Sequence, residues 1–551
     1  MTQKIFRPAL WRAGVLFSAL LLALPVFVVF SFLFVPAGDV WRHLVATVLS
    51  DYLSNSFILV GGVAIGVLLL GIPTAWATTV YEFPGRRFFE WALLLPLAIP
   101  AYIIAYTYTG LLEFAGPVQG ALRAVFGWSA GDYVFPEVRS LGGAVLMLSL
   151  VLYPYVYMLS RASFLGQSLS TLEAGRVLGA GPWRVFFSVT LPLARPAVVT
   201  GLSLALMETL ADYGTVQYFG IATFTTGIFR TWFGLNDSAA AAQLAALLMS
   251  CVFVLILLEH YSRRRLRFFQ TGGRYRHLPR HTLYGYRKWA VMLLCLLPLT
   301  CGFLIPAGQL LVWACSIAEE TLDQRFLQLV GHSLMLAISA ATITLLLALF
   351  LGYGRRLFPS PRLAFAVRLS AMGYAVPGTV IAVGVMLPFA WLDNRIDDWS
   401  RELFGLSTGL LFSGTLFILL FAYAVRFLAV SLQSVESGLA RVTPNMDDAA
   451  RSLGCAPRSV LMKIHLPMMR GALFSALLLV FVDVLKELPA TLILRPFNFN
   501  TLAVRAYELA SDERLADSSV AALTIVAVGV IPVVLLSRAI SRSGERYAES
   551  P

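Results

Sequence analysis

The sequence predicts an all-α polytopic membrane protein of about twelve transmembrane helices in two parallel six-helix repeats. Three observations predict it. The 551-residue chain is 58% hydrophobic and 13% charged, with mean hydropathy +0.77; soluble domains carry roughly twice that charge. Apolar runs of about 20 residues, the length that crosses a bilayer as a helix, recur along it. The second half also restates the first at a near-constant offset.

The runs fall at 14–35, 56–80, 91–112, 141–160, 197–217 and 239–259 in the first half. In the second they fall at 289–314, 333–353, 363–391, 410–430, 472–493 and 519–537. A helix satisfies its own backbone groups in hydrocarbon, so the bundle is all-helical. Lys4, Arg7 and Arg12 precede the first run, as in a secretory signal. The run exceeds a signal core of about 7–15 residues and lacks a clear small-x-small cleavage site, so it reads as a retained first helix. With the N-terminus inside, twelve crossings return the C-terminus to the cytosol. Most of the 42 Lys+Arg then lie in cytosolic segments, which is the positive-inside bias. The net charge of +12 therefore reads as topology and not as a nucleic-acid surface. Segment 260–288 carries nine Lys/Arg between the halves and reads as a cytosolic linker near anionic lipid headgroups.

No enzyme signature is present. Cys251, Cys295, Cys301, Cys315 and Cys455 form no CxxC and read as small apolar packing residues. The six histidines are scattered. No Walker A loop, GxSxG or HExxH occurs. The expectation is no catalytic residue, no cofactor bound by this chain and no firm metal centre. A nucleotide, if used, must bind another chain.

The repeat sets the domain organisation. Asn55-Ser56 is echoed by His332-Ser333, Ala-Trp-Ala at 75–77 by Gly-Tyr-Gly at 352–354, and Ile-Pro-Ala at 99–101 by Val-Pro-Gly at 376–378. Six spans per half give both halves one orientation and a pseudo-two-fold axis along the membrane normal. The expected boundaries are 1–53 for an N-terminal segment with the first helix and 54–257 for the first membrane domain. Residues 258–330 form the basic linker plus seventh helix, 331–537 the second membrane domain, and 538–551 a cytosolic tail.

The most specific repeat is polar. EAGRVLGAGPWRVFFSVTLP, Glu173 to Pro192, matches DAARSLGCAPRSVLMKIHLP, Asp448 to Pro467, at an offset of 275 residues. Glu173–Leu178 and Asp447–Leu453 read as short helices opened by acids, which favour a helix N-terminus. Gly179 and Gly454 permit a tight helix end. Pro182 and Pro457 suit the first turn of a second helix, which Pro192 and Pro467 are expected to break. A helix–turn–helix at the cytosolic face follows. One such loop alone could merely cap the bundle; two with identical spacing point to docking on a two-fold partner.

These residues resemble the EAA loop of bacterial ABC importer permeases. The first copy gives Glu173-Ala174-Gly175, Gly179 and Val189-Thr190-Leu191-Pro192. The second gives Asp448-Ala449-Ala450, Gly454 and Ile464-His465-Leu466-Pro467. Gly175, Val189 and Asp448 depart mildly from the family pattern. The resemblance covers about 54–257 and 331–537, and implies a type I ABC importer permease in a bacterial inner membrane. It implies that each loop seats on one of two copies of a cytosolic ABC ATPase, where ATP-Mg binds. A periplasmic substrate-binding protein would deliver cargo, and the two halves would alternate access.

Intramembrane acids are the next signal. Glu208 and Asp212 recur as Asp483 and Glu487 at the same offset, each pair on one helix face. Ionisable groups at that depth are costly and face a cavity or a partner. Two readings stand: a cation-facing pathway lining, with Lys486 as partner or gate, or a structural network that breaks the helix. Oxygen ligands suit hard cations, so transient metal contact by these four acids is compatible with the pattern. Outside the membrane, Glu319-Glu320 and Asp393–Glu402 are either docking surfaces or ordinary solvated loops.

Segment Glu208 to Gly234 is similar to the corresponding region of fused ferric-iron permeases. That resemblance implies Fe3+ as cargo. Thiamine, polyamine and phosphonate permeases share the wider fold. A secondary transporter would share the two parallel halves but needs no duplicated ATPase dock.

Overall fold

A computed structural model describes residues 8–36, 38–129, 131–167, 181–264 and 281–546. Eleven described helices are long and apolar enough to cross a membrane, or twelve if one bent pair is a single span.

That pair contains the expected third span, 91–112, which is not one helix. Arg86–Ala98 and Ala101–Phe126 meet at 90°. Pro100 stands at the joint with ψ 143°, and Ile99 before it is extended at ψ 119°. Proline has no N–H for the helical ladder and drives its predecessor out of the helical region. The expected ninth span, 363–391, divides at the matching place. Val376 is extended and Pro377 caps a new helix, Gly378–Phe404. Hydropathy runs unchanged through both joints.

Elsewhere proline is absorbed. π-helical turns at Phe186–Thr190, Thr300–Leu304 and Leu461–His465 directly precede Leu191-Pro192, Ile305-Pro306 and Leu466-Pro467. In each, the next N–H reaches back five residues: Leu191 to Phe186, Ile305 to Thr300, Leu466 to Leu461. The wider turn accommodates the ring and the missing donor. The expected helix breaks at Pro192 and Pro467 are therefore absent. Trp183–Ala211 and Pro457–Leu485 are each continuous over 29 residues.

Contacts divide the chain into two units, each drawing on both sequence halves. One comprises Met1–His43, Ile228–Met249 and Asp323–Val504. Within it the Pro8–Ser31 helix lies against second-repeat helices. Small residues permit the approach: a Cβ added at Gly384 would sit 2.5 Å from the Pro25 carbonyl, and one at Gly354 2.6 Å from Val15.

The other unit comprises Leu44–Gly227, Ser250–Leu322 and Arg505–Pro551. Within it the Leu515–Arg546 helix runs along Ile305–Thr321 and past Leu95–Ala98. A Cβ at Gly529 would meet the Ala98 carbonyl at 2.9 Å. A two-residue parallel pairing joins Tyr81–Glu82 to His281–Thr282. It ties the chain following the basic segment to the end of the Leu49–Val80 helix, and is the only sheet among the described residues.

Candidate coupling loop and acid-bearing helices

The second loop is described in full. Its helix, Pro444–Ser452, begins three residues before the expected start, with Pro444 in the first turn. Asp448 and Ala449 are exposed, whereas Ala450 is buried. The helix closes through paired bonds: Gly454 N–H donates to Arg451 O at 2.9 Å, and Cys455 N–H to Ala450 O at 3.0 Å. This is a Schellman end, which requires a left-handed residue at Gly454. Its φ is +76°, and an added Cβ would meet nothing within 4 Å. Backbone conformation, and not space, calls for glycine here. Leu453, 84% exposed, forms the tip. Pro457 then opens the next helix, which passes through the π turn into Leu466 and Pro467.

Of the first loop, Glu173, Ala174, Gly175 and Gly179 lie outside the described residues. Leu191 and Pro192 start the Leu191–Ala211 helix, as Leu466 and Pro467 start Leu466–Leu485. Trp183 and Phe187, both exposed, stack with centroids 6.2 Å apart beside the π turn.

The second loop is fastened to its unit by a carboxylate that the motif does not include. Asp447 Oδ2 accepts from Arg356 Nε at 2.9 Å, and its Oδ1 lies 2.7 Å from His465 Nε2. Arg356 also donates to the carbonyls of Leu439 (2.6 Å) and Val442 (2.7 Å). Tyr353 Oη donates to Pro457 O at 2.8 Å, with its ring edge-on to His465. Burial alone would raise the Asp447 carboxyl, but hydrogen bonds from His465 and Arg356 and their charges outweigh it and hold it below the ordinary carboxylate value. In the sequence Asp447 stands out only as a helix opener. Arg356 and His465 gave no local signal.

The four intramembrane acids separate into two kinds. Asp212 ends the Leu191–Ala211 helix and caps the short helix Gly214–Tyr218. Its Oδ2 accepts from the amides of Thr215 and Val216, both at 3.1 Å, and its Oδ1 from Thr215 Oγ1 at 3.0 Å. Glu487 does the same for Pro489–Leu494. Its Oε1 accepts from Ala490 N and its Oε2 from Thr491 N, both at 3.0 Å; Thr491 Oγ1 stands 2.8 Å from Oε2. Both repeats thus place a carboxylate where a helix breaks and restarts, meeting amides that have no helical partner. Glu487 is further paired with Arg426 at 3.4 Å.

Glu208 and Asp483 differ. Both are half-buried. Asp483 pairs with Lys486 at 2.8 Å. Glu208 makes no hydrogen bond or ion pair among the described residues, and its chemistry is that of an available hard oxygen donor. The described residues hold no cluster of three or more His, Cys, Asp or Glu placed for a metal ion.

The acidic segment Asp393–Glu402 is largely used in folding. Asp393, 1% exposed, accepts from the amides of Leu411, Phe412 and Ser413. Asp397 accepts from Ser407 Oγ and the amides of Thr408 and Gly409, and pairs with Arg401. Both acids gather the loop that follows the Gly378–Phe404 helix. Glu319 and Glu320 lie exposed near the end of Ile305–Thr321.

Known proteins resemble this chain in sequence. A family profile described as "Binding-protein-dependent transport system inner membrane component" matches residues 67–268. The Fe(3+)-transport system permease protein FbpB 2 of Haemophilus influenzae is 25% identical over 97% of this chain and 99% of its own length. The molybdenum transport system permease protein ModB of the same organism is 31% identical over 35% of this chain and 84% of its own. A putative 2-aminoethylphosphonate permease, PhnU of Salmonella paratyphi A, is 28% identical over 38% of this chain. With its helical spans and fused repeats, the chain belongs to the family of multi-pass inner-membrane components of binding-protein-dependent transport systems, the type I permeases of ABC importers.

Proposed function

We propose that this chain imports ferric iron, accepted from a periplasmic binding protein and moved by alternating access. Two copies of a cytosolic ATPase supply the energy through the two EAA loops. Both termini and both loops face the cytosol, and the chain binds no nucleotide of its own. Iron rests above all on one observation: the FbpB 2 match runs essentially end to end on both chains. The molybdenum and phosphonate relatives match little more than a third of this chain. Glu208, a half-buried carboxylate without a cation beside it among the described residues, also suits a cationic cargo better than an anionic one. Glu173, Ala174, Gly175, Gly179, Asp448, Ala449, Ala450, Gly454 and the two Leu-Pro pairs are assigned to the ATPase interface.

The test is reconstitution in liposomes with the cognate ATPase and binding protein. Uptake of labelled ferric iron that requires ATP and the binding protein supports the reading. Uptake of molybdate, phosphonate or thiamine in place of iron would replace the cargo. Uptake without any ATPase would restore a secondary transporter.

A further inference from the structure

Four pieces of one unit meet around the Asp447–Arg356 pair. They are the end of the Gln324–Leu357 helix through Arg356, the end of Leu416–Leu439 through the Leu439 and Val442 carbonyls, the loop helix Pro444–Ser452, and the head of Leu466–Leu485 through His465. The junction is sheltered. His465 is 1% exposed, and the side chains of Asp447 and Arg356 are 15% and 19% exposed. Charge-assisted bonds shielded from water are stronger and more directional than exposed ones.

The first repeat differs in sequence at these positions. At the offset of 275 residues, Leu172 stands for Asp447 and Thr190 for His465. Neither can form the ion pair. A second pair, Arg355 with Glu436 at 2.5 Å, independently joins the Gln324–Leu357 and Leu416–Leu439 helices. Losing Asp447 would therefore release the loop helix while leaving those two spans pinned.

We propose that Asp447, gripping Arg356 and His465, is a positioning residue that makes the second coupling loop and the Leu466–Leu485 helix one rigid lever. A push on the loop is then delivered to the membrane helix and not absorbed by bending between them. The acid–imidazole pair that latches this lever has no equivalent in the residue types at the matching first-repeat positions. This rests on the assignment of the loop as ATPase dock.

The test uses the full complex in liposomes, with two readouts: ATPase retained on the permease, and substrate moved per ATP hydrolysed. Asp447→Asn and His465→Leu should keep the ATPase but lower substrate per ATP by roughly twofold to thirtyfold, the span seen when a coupling network is interrupted. Asp447→Glu and His465→Gln, which keep acceptor and donor, should recover most of the ratio. A general structural defect would instead lower yield and assembly in all four. An unchanged ratio in the Asn and Leu variants, or equal losses in the conservative variants, overturns the latch. If Asp447→Asn does not assemble, the His465→Leu and His465→Gln comparison decides alone. Failure of the dock assignment appears separately, as ATPase retention that is indifferent to a bulky residue at Gly454.

Discussion

Arg426 lies 3.4 Å from Glu487 inside the membrane domain, where the same carboxylate already receives the amides of Ala490 and Thr491. The position opposite is equally tight: a Cβ at Gly378 would fall 2.1 Å from Arg426 Nη1 and 2.6 Å from Glu487 Oε1. Glu487 is thus a restart cap and a counter-ion together, and Asp212 is its counterpart as a cap.

Glu487→Gln should lower stability markedly. The Glu487 and Arg426 side chains are 2% and 12% exposed, and removing one partner of a buried pair costs about 3–5 kcal/mol because the other charge is stranded. Asp212→Asn keeps one acceptor oxygen and strands no cation, and should cost about 1 kcal/mol, the scale of a lost helix cap. Thermal unfolding in detergent ranks the two. A Glu487→Gln protein as stable as the parent contradicts the assignment.

Glu208→Gln should do the reverse. Among the described residues its carboxylate holds nothing in place, so the melting temperature should stay within about 0.5 kcal/mol-equivalent of the parent, as for substitutions away from structural features. Iron uptake per complex should fall. Full uptake would remove Glu208 from the pathway and leave the acid pattern entirely structural.

Gly454→Ala isolates backbone conformation from size. Nothing crowds its Cβ, so the penalty is the left-handed φ, about 1–2 kcal/mol. Weaker ATPase association is expected, whereas Gly471→Ala, equally open but without positive φ, should leave it unchanged. Equal binding by both variants would separate the Schellman end from docking.

Acid should loosen the second loop. The Asp447 carboxyl titrates below its unfolded value of about 3.9. Its contribution to stability is therefore fully present above that value and is lost as pH falls through the lower folded value. The gap in melting temperature between the parent and Asp447→Asn should be flat from neutral pH down to about 5 and should close below about 4. A gap that widens toward acid would reverse the sign and the assignment.

Helix existence was legible because lipid demands long apolar runs, and that demand is local in sequence. The breaks at Pro100 and Pro377 left the apolar run uninterrupted, so hydropathy missed them although the proline repeat was visible. Pro192 and Pro467 misled in the opposite direction, since a π turn admits the ring without a break. The caps carried a short-range cue: Asp212 precedes Thr215 by three residues, as Glu487 precedes Ala490. The sequence left cap and pathway open because both place an acid at the same depth. Asp447 to Arg356 spans 91 residues, and only the folded chain brings that pair together.

The Leu515–Arg546 helix belongs with helices made far earlier, covering the Ala98 carbonyl through Gly529. That imposes an order in time. Because synthesis runs from the N-terminus, the unit beginning at Leu44 must wait inside the bilayer, one face uncovered, until almost the whole chain has left the ribosome. A chain truncated before Leu515 leaves the Leu95–Ala98 turn and the Ile305–Thr321 helix without their last wall.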